Sequence, residues 1–263
     1  MNVECWAKSD VGMQRTVNED RYYIAPDRQL MLVFDGMGGH KAGDVAAQLA
    51  METICTFYEA NANRTNGDPN VIEAFDAAFS FETNLLRQAV IEANRVVLEK
   101  SAEFSELGGM GSTVAGMALH GFAVSMINVG DSRMYLVRNG AIEQISRDHT
   151  LAEDQVERGI MTRQEARDSQ LRHILSAVIG VDSRIRVHVD EMPVFPGDVF
   201  LLCTDGLTAV MTDEEILQEI LKSKPGAEVL DRLIEEVNRR GGPDNTTLTL
   251  AVISEDLDPA KPE

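Results

Sequence analysis

The stretch Leu30-Met31-Leu32-Val33-Phe34-Asp35-Gly36-Met37-Gly38-Gly39-His40 runs from consecutive apolar residues straight into an acid and glycines. A short apolar run closed by glycines predicts a buried β-strand that ends in a turn. Asp35 is the last side chain of that strand. An unpaired buried carboxylate is costly, so we expect a cation, hydrogen-bond donors or water beside it. Gly36 has no Cβ, which lets its carbonyl approach whatever Asp35 binds.

The same pattern recurs in Val199-Phe200-Leu201-Leu202-Cys203-Thr204-Asp205-Gly206-Leu207, where an apolar run again ends in Asp-Gly. One such pair after a strand is more often a simple turn. Two of them indicate two strand ends that bring carboxylates to one place. Further acids at the edges of predicted strands, each beside a glycine or a polar turn, are Asp20, Asp131 and Asp244.

A set of carboxylate ligands without cysteine or a convergent histidine pair suits Mg²⁺ or Mn²⁺ and disfavours zinc. Two such ions about 3.5–4 Å apart could share Asp35, polarise a phosphoryl group and convert a bridging water into hydroxide. The acids therefore predict metal-assisted hydrolysis of a phosphate ester. Arg15 lies between a glycine turn and the Asn18-Glu19-Asp20 cluster, where it forms either a surface ion pair or a phosphate ligand.

The composition limits the classes of partner. The chain has 263 residues, for which one domain is as plausible as two, and its net charge is -19. Such a charge disfavours binding to nucleic acid or an anionic membrane but not to divalent cations. No apolar run reaches the roughly 18 residues of a membrane span, and the first residues lack the features of a secretory signal, so we expect a cytoplasmic location. Cys5, Cys55 and Cys203 have no zinc-site spacing and suggest no disulfide framework.

The periodicity of the chain predicts its main elements. Residues 42–59 have small and apolar residues on one helical face, and residues 71–104 predict one long amphipathic helix or two in sequence. Two apolar runs, at residues 114–119 and 122–129, predict a hairpin. The charged segment 151–169 is mostly helical by composition but is a poor core, which is typical of a mobile flap.

Seven ordered motifs give the chain a resemblance to a known family. They are Gly12-x-x-Arg15-x-x-Asn18-Glu19-Asp20, Phe34-Asp35-Gly36-Met37-Gly38-Gly39-His40, Gly111-Ser112-Thr113, Asn128-Val129-Gly130-Asp131-Ser132-Arg133, Asp148-His149-Thr150, Thr204-Asp205-Gly206-Leu207 and Gly242-Pro243-Asp244-Asn245-Thr246-Thr247. Over about residues 3–254 the chain resembles the metal-dependent protein serine/threonine phosphatases of the 2C type, in their compact bacterial form.

This resemblance implies an α+β fold, a four-layer αββα sandwich in which two antiparallel β-sheets are flanked by helix pairs. The metal ions would lie in a cleft between the ends of the sheets. Residues 1–254 would form a single catalytic domain with a flap at about residues 146–182. Residues 255–263, which are acidic and contain proline, would be a short tail.

The resemblance also implies roles for individual residues. Asp35 would bridge two Mn²⁺ or Mg²⁺ ions, the Gly36 carbonyl would bind one of them, Asp205 and Asp244 would complete the site, and Asp20 would act directly or through water. Asp131 matches an acid that helps to hold a weaker third ion in bacterial relatives. The catalytic residues would be Arg15, which binds the substrate phosphate, Asp35 and His40.

The general acid is not fixed by the motifs. Animal and plant members of the family often have histidine directly after Asp-Gly, where this chain has Met37. His40 is the candidate within this sequence, and a metal-bound water is the alternative. The flap also departs from the bacterial pattern, because Ser169-Gln170-Leu171-Arg172-His173 stands where relatives often carry His-Pro before an arginine. Substrate choice therefore does not carry over.

The implied reaction is hydrolysis of phosphoserine and phosphothreonine on proteins by direct attack of a hydroxide that bridges the two metal ions. The chain has no phosphate loop of the Cys-x5-Arg type, which argues against a cysteine phosphatase. The implied partners are phosphoprotein substrates and a cognate bacterial serine/threonine kinase, with no nucleic acid or membrane and a monomeric enzyme. Two alternatives stay open: a metal-binding regulatory module without turnover, and a phosphatase dedicated to one regulatory protein.

Overall fold

The computed structural model describes residues 1–25, 29–38, 42–62 and 71–255. The strands are β1 (Asn2–Asp10), β2 (Arg21–Ala25), β3 (Leu30–Phe34), β4 (Gly36–Met37), β5 (Gly111–Ser112), β6 (Val114–His120), β7 (Ala123–Val129), β8 (Arg133–Arg138), β9 (Ala141–Gln144), β10 (His188–Pro193), β11 (Val199–Cys203) and β12 (Thr246–Ser254). The helices are α1 (Ala42–Asn61), α2 (Phe81–Glu103), α3 (Leu151–Glu157), α4 (Arg163–Asp168), α5 (Asp205–Thr208), α6 (Asp213–Leu221) and α7 (Ala227–Arg239). Short 3₁₀ turns occupy Ser105–Leu107 and Gln170–His173.

The strands form two antiparallel sheets. One has the order β1-β12-β11-β8-β9 and the other the order β10-β7-β6-β3-β2. The short strands β4 and β5 pair separately, with Gly36 opposite Ser112. The first and last long strands, β1 and β12, pair with each other at one edge of the first sheet, so the two ends of the described chain lie side by side.

Successive side chains of the central strands point to opposite faces of their sheet, and this alternation produces separate apolar layers. In β3, Leu32 and Phe34 pack with α1 and α2, while Met31 packs into the space between the two sheets. In β11, Leu201 packs with α6 and α7, while Phe200 faces the other sheet. Because successive side chains of a strand point to opposite faces, each apolar run supplies two cores at once. The four-layer αββα arrangement expected from the resemblance is confirmed.

The helix prediction for residues 71–104 was wrong over its first third. The helix α2 begins only at Phe81, and residues 71–80 form turns and irregular backbone. Ser80 caps α2 by accepting a hydrogen bond from the Thr83 amide, and the Asn84 side chain donates to the carbonyls of Asp76 and Ser80. These side-chain hydrogen bonds satisfy backbone groups that a continued helix would have used, so the helix starts there.

The segment 146–182, called the flap from here on, is tied to the sheets at both ends. Near its start, the His149 amide donates to the Gly130 carbonyl, and Thr150 forms a β-bridge with Leu175. Near its end, Ile179 exchanges backbone hydrogen bonds with Ser112 in β5. Between these points lie α3, α4 and a 3₁₀ turn. Within the described ranges, no helix is both long and apolar enough to cross a membrane.

Candidate metal centre

Five of the predicted acids lie at strand ends of the two sheets. Asp20 precedes β2, Asp35 follows β3, Asp131 follows β7, Asp205 begins α5 directly after β11, and Asp244 precedes β12. Electrostatic interactions link Asp35 to Asp20, Asp131 and Asp205, and link Asp205 to Asp244. The structure therefore brings the five acids together in one cleft at the ends of the sheets.

Asp35 and Asp205 form the centre of this cluster, because each of these two carboxyl groups affects the pKa of the other. Burial, followed by the charges of Asp20, Asp205 and Asp131, raises the pKa of Asp35 well above its usual range. Burial and the charge of Asp244 raise the pKa of Asp205. Ionised carboxylates this close and this desolvated need a compensating positive charge.

Asp20 and Asp131 flank that pair. Burial raises the pKa of Asp20 to about 7, although its Oδ2 accepts a hydrogen bond of 2.8 Å from Thr204 Oγ1. Burial and the charges of Asp205 and Asp148 raise the pKa of Asp131 to about 7 as well. The cluster as a whole thus holds more negative charge than its own hydrogen bonds compensate.

Arg15 supplies a positive charge next to the acidic cluster. Its NH2 group donates to Asp244 Oδ2 at 2.7 Å, and half of its side chain is exposed. The hydrogen bond and the charge of Asp244 raise the pKa of Arg15, and the charges of Asp205 and Asp35 add to this shift. Of the two sequence interpretations of Arg15, the ion pair is the one visible in the structure.

The donor set fits a hard divalent cation. Asp205 Oδ1 is buried and has no hydrogen-bond partner among the described residues, so an oxygen lone pair in the cleft is available for a ligand. Within the same ranges, no three or more aspartate, glutamate, histidine or cysteine side chains are arranged so that they could hold a metal ion together. Mg²⁺ and Mn²⁺ satisfy this combination, because such ions are held by few carboxylates and retain several waters.

Gly36 is required by packing as well as by its position after Asp35. A Cβ at Gly36 would lie 2.2 Å from the Gly43 carbonyl oxygen and 2.7 Å from that of Glu19. The sequence interpretation gave only the approach of a ligand as the reason for glycine. The structure adds that the backbone of α1 crosses too closely for any side chain.

The sequence analysis missed the residues that hold the acids in place. Thr113 holds the backbone of Asp35 through two hydrogen bonds. Its Oγ1 accepts from the Asp35 amide at 3.0 Å, and its own amide donates to the Asp35 carbonyl at 2.8 Å. Asn245 ties the Asp20 turn to β12, accepting from the Glu19 amide and donating to the carbonyls of Val11 and Val17. Their positions within the quoted motifs, next to or paired with the acids, were the available signal.

His40 lies outside the described residues, so its role as general acid stays a prediction. Met37, at the position where other family branches often have histidine, is part of β4 and 38% exposed. Its thioether carries no proton to donate, so Met37 cannot take over that role.

The chain is similar to known proteins in both sequence and structure. Residues 13–250 match the family model described as "Protein phosphatase 2C". The serine/threonine phosphatase stp of Listeria monocytogenes is 32% identical over 247 residues, which cover 92% of this chain and 93% of stp. The crystal structure of the Mycobacterium tuberculosis serine/threonine phosphatase PstP/Ppp has a TM-score of 0.83 and 30% identity, covering 97% of this chain and 100% of that chain. A structure of the PstP catalytic domain in complex with two manganese ions has a TM-score of 0.80 and 31% identity, covering 96% of this chain and 99% of that chain.

Proposed function

The chain belongs to the protein phosphatase 2C family of metal-dependent protein serine/threonine phosphatases, and we propose how its acidic cleft carries out that reaction. The substrates are phosphoserine and phosphothreonine side chains of proteins. The observation that carries the proposal is the Asp35–Asp205 pair, next to which Arg15 binds Asp244. Both acids have raised pKa values, and Asp205 Oδ1 is buried without a hydrogen-bond partner among the described residues.

Two divalent ions, Mn²⁺ or Mg²⁺, are held by Asp35, the Gly36 carbonyl, Asp205 and Asp244 in this proposal. Asp20 acts on them directly or through water, and Asp131 contributes to a weaker third site. When bound, such ions activate water and polarise the phosphoryl group. Support comes from the convergence of these acids and from the two manganese ions of the similar PstP structure.

The side chains of the cleft bind and orient the substrate. The guanidinium of Arg15 can present two parallel N–H groups to phosphate oxygens, as its planar geometry favours. Thr113 fixes the backbone of Asp35, and the Thr204 hydroxyl fixes the Asp20 carboxylate. His40 remains the proposed proton donor to the leaving oxygen.

The cellular setting is proposed from the same features. We expect a cytoplasmic monomer that reverses the action of a serine/threonine kinase on phosphoproteins. Cys5, Cys55 and Cys203 are all free thiols, which suits a reducing compartment. The net charge of -19 disfavours nucleic acid and anionic membranes as partners.

The decisive test measures phosphate release from a phosphothreonine peptide with Mn²⁺, with Mg²⁺ and with EDTA. We expect turnover only with metal, and its loss in Asp35→Asn and Asp205→Asn, because these substitutions remove charge and little volume. Asp190→Asn, which changes an exposed acid on β10, is the matched control and should keep full activity. Metal binding in calorimetry without any turnover would instead favour the regulatory module.

A further inference from the structure

Two of the proposed metal ligands, Asp35 and Asp131, lie at the same edge of one sheet with a single strand between them. Asp35 follows β3, Asp131 follows β7, and β6 separates these two strands. Both strands run antiparallel to β6, so the start of β6 lies beside the ends of β3 and β7. Thr113 is the residue directly before β6. Its place in the sheet therefore lets it contact the backbone near both acids.

Thr113 forms hydrogen bonds towards each of the two acids. On one side it makes its two hydrogen bonds with the backbone of Asp35. On the other side, Thr113 Oγ1 lies 2.6 Å from the Oγ of Ser132, the residue after Asp131. The side chains of Thr113 and Ser132 are both fully buried. Water therefore does not compete for this hydrogen bond, and an unmade bond here would leave a buried hydroxyl unpaired.

Residues 130–132, called the β7–β8 loop below, carry Asp131 from one sheet to the other. The loop packs directly on Thr113, because a Cβ at Gly130 would lie 2.5 Å from Thr113 Cγ2. At the other end of the loop, the Ser132 carbonyl accepts a hydrogen bond of 2.8 Å from Asn128 Nδ2. The β7–β8 loop is thus held against Thr113 by close packing at its first residue and by a hydrogen bond at its last.

The hydroxyl of Ser132 has one partner to act on. Within the described ranges, Thr113 Oγ1 is the only hydrogen-bond partner of Ser132 Oγ. Because Ser132 has no exposed surface, its hydroxyl does not meet a protein substrate. The hydroxyl therefore serves to orient the Thr113 side chain, and Thr113 in turn holds the backbone that carries Asp35.

We propose that Ser132 is a positioning residue of the metal centre and acts on Asp35 through Thr113. This inference rests on the proposed function and adds to it a residue that touches neither metal nor substrate. The Ser132–Thr113–Asp35 connection keeps the β7–β8 loop and the end of β3 in one arrangement, so that both acids are in place before a cation binds. Residues that orient metal ligands in this way contribute to metal affinity.

The test measures the affinity of the full chain for Mn²⁺ by calorimetry. In Ser132→Ala we expect Mn²⁺ to bind about five- to tenfold more weakly than in the wild type, because Thr113 loses the hydrogen bond that orients it. Ser132→Cys keeps the shape of the side chain and has a thiol that hydrogen-bonds only weakly. It should show a smaller loss in the same direction, and it decides the question if the alanine variant does not fold.

Ser125→Ala is the matched control for a general loss of stability. Ser125 Oγ also lies 2.6 Å from a buried threonine hydroxyl, that of Thr83, but Ser125 is four residues before the end of β7. That distance is about 13 Å along the strand from the β7–β8 loop. Urea unfolding in EDTA should show that both alanine variants are destabilised, whereas Ser125→Ala should bind Mn²⁺ as the wild type does. An equal loss of Mn²⁺ affinity in the two variants would overturn the inference.

Variants of Thr113 establish whether Ser132 acts through it. Thr113→Val keeps the shape but also removes the hydrogen bond to the Asp35 amide, so it should bind Mn²⁺ more weakly than Ser132→Ala does. Adding Ser132→Ala to Thr113→Val should cause no further loss, because the hydroxyl that transmits the effect is gone. Thr113→Ser restores a hydroxyl and should bind Mn²⁺ nearly as the wild type does. A full additional loss in the double variant would contradict the inference.

The outcomes separate this inference from the proposed function. Wild-type Mn²⁺ affinity in the Ser132 variants would overturn the inference and leave the phosphatase function intact. Mn²⁺ binding by the wild type without hydrolysis of a phosphothreonine peptide would overturn the function, and the same affinities would still decide the inference. A wild type that binds no Mn²⁺ would overturn both.

Discussion

His149 is a buried imidazole whose protonation is coupled to folding. It is 5% exposed, and its Nδ1 accepts a hydrogen bond of 3.2 Å from the Gly130 amide, which requires an unprotonated Nδ1. Burial, followed by the charges of Arg186 and His188, lowers the pKa of His149 to about 4. The unfolded chain therefore binds more protons than the folded one between that value and the usual histidine pKa of about 6.5.

This coupling predicts that stability falls as the pH is lowered through that window. Between pH 7 and pH 5, His149 should cost about 2 kcal/mol of unfolding free energy. Urea unfolding in EDTA measures it, and His149→Asn should show a correspondingly smaller pH dependence, because the asparagine oxygen can accept from Gly130 without titrating. An identical pH dependence in wild type and variant would contradict the assignment.

Arg15 is expected to serve the substrate and not the metal. Replacing it with alanine removes charge-assisted hydrogen bonds to the phosphate, so kcat/KM should fall about 10–100-fold. Metal affinity in calorimetry should not weaken, because the substitution also releases Asp244 from its 2.7 Å ion pair. Weaker Mn²⁺ binding with unchanged KM would place Arg15 outside the phosphate site.

The acids of the site could be predicted from the sequence because each follows or precedes a recognisable strand. Asp35 and Asp205 come directly after apolar runs, where an acid is conspicuous. The residues that hold them, such as Thr113 and Asn245, could not be predicted in their roles. Their function depends on which strands become neighbours in space, and threonine or asparagine beside a turn has many local uses.

The start of α2 depends on a buried polar network that joins it to the sheet. Thr83 Oγ1 donates to Glu191 Oε2 at 2.6 Å and lies 2.6 Å from Ser125 Oγ, and Thr83 and Ser125 are both fully buried. Glu191 also accepts from the Ser80 amide, the cap of the helix. The network thus connects the end of a helix to β7 and β10.

Thr83→Val should therefore lower the unfolding free energy by about 1–3 kcal/mol, because it leaves buried partners without their hydrogen bond while keeping the volume. Urea denaturation in EDTA measures the change. Thr53→Val is the control, since the Thr53 hydroxyl donates only to the Leu49 carbonyl of its own helix. A loss equal in the two variants would mean that the network adds nothing specific.

The same network explains why the helix boundary could not be predicted. Apolar spacing alone favoured a helix over residues 71–104, and α1 over residues 42–59 was correctly predicted by the same criterion. The difference lies in the side chains of Ser80 and Asn84, which hydrogen-bond to nearby backbone groups. These bonds favour a turn over a longer helix. The periodicity of apolar residues does not contain that information.

The layered architecture follows from the apolar runs only in part. Uninterrupted runs such as those of β3 and β11 indicate strands covered on both faces, which requires layers on either side. The order of the strands does not follow from periodicity, since pairing β1 with β12 joins opposite ends of the chain. Long-range pairing of this kind leaves no local trace in the sequence.

We expect the stability of the fold to depend on divalent cations, because of the acidic cleft and the charge of the whole molecule. A ligand that binds only the folded state stabilises it by about 2.7 kcal/mol at one hundred times its dissociation constant, which corresponds to a rise in Tm of about 5–10 °C for a chain of this size. Because the net charge is -19, any cation also reduces general repulsion, so the two effects must be separated.

Thermal unfolding with Mn²⁺, and with NaCl at the same ionic strength, separates them. We expect Mn²⁺ to raise the Tm of the wild type well beyond the effect of NaCl. Asp35→Asn and Asp205→Asn should lose this difference, yet in EDTA they should be at least as stable as the wild type, because each removes one charge from a repelling cluster. Asp190→Asn, outside the cleft, should respond to Mn²⁺ as the wild type does. Equal effects of Mn²⁺ and NaCl on the wild type would show that cations act on the surface charge alone.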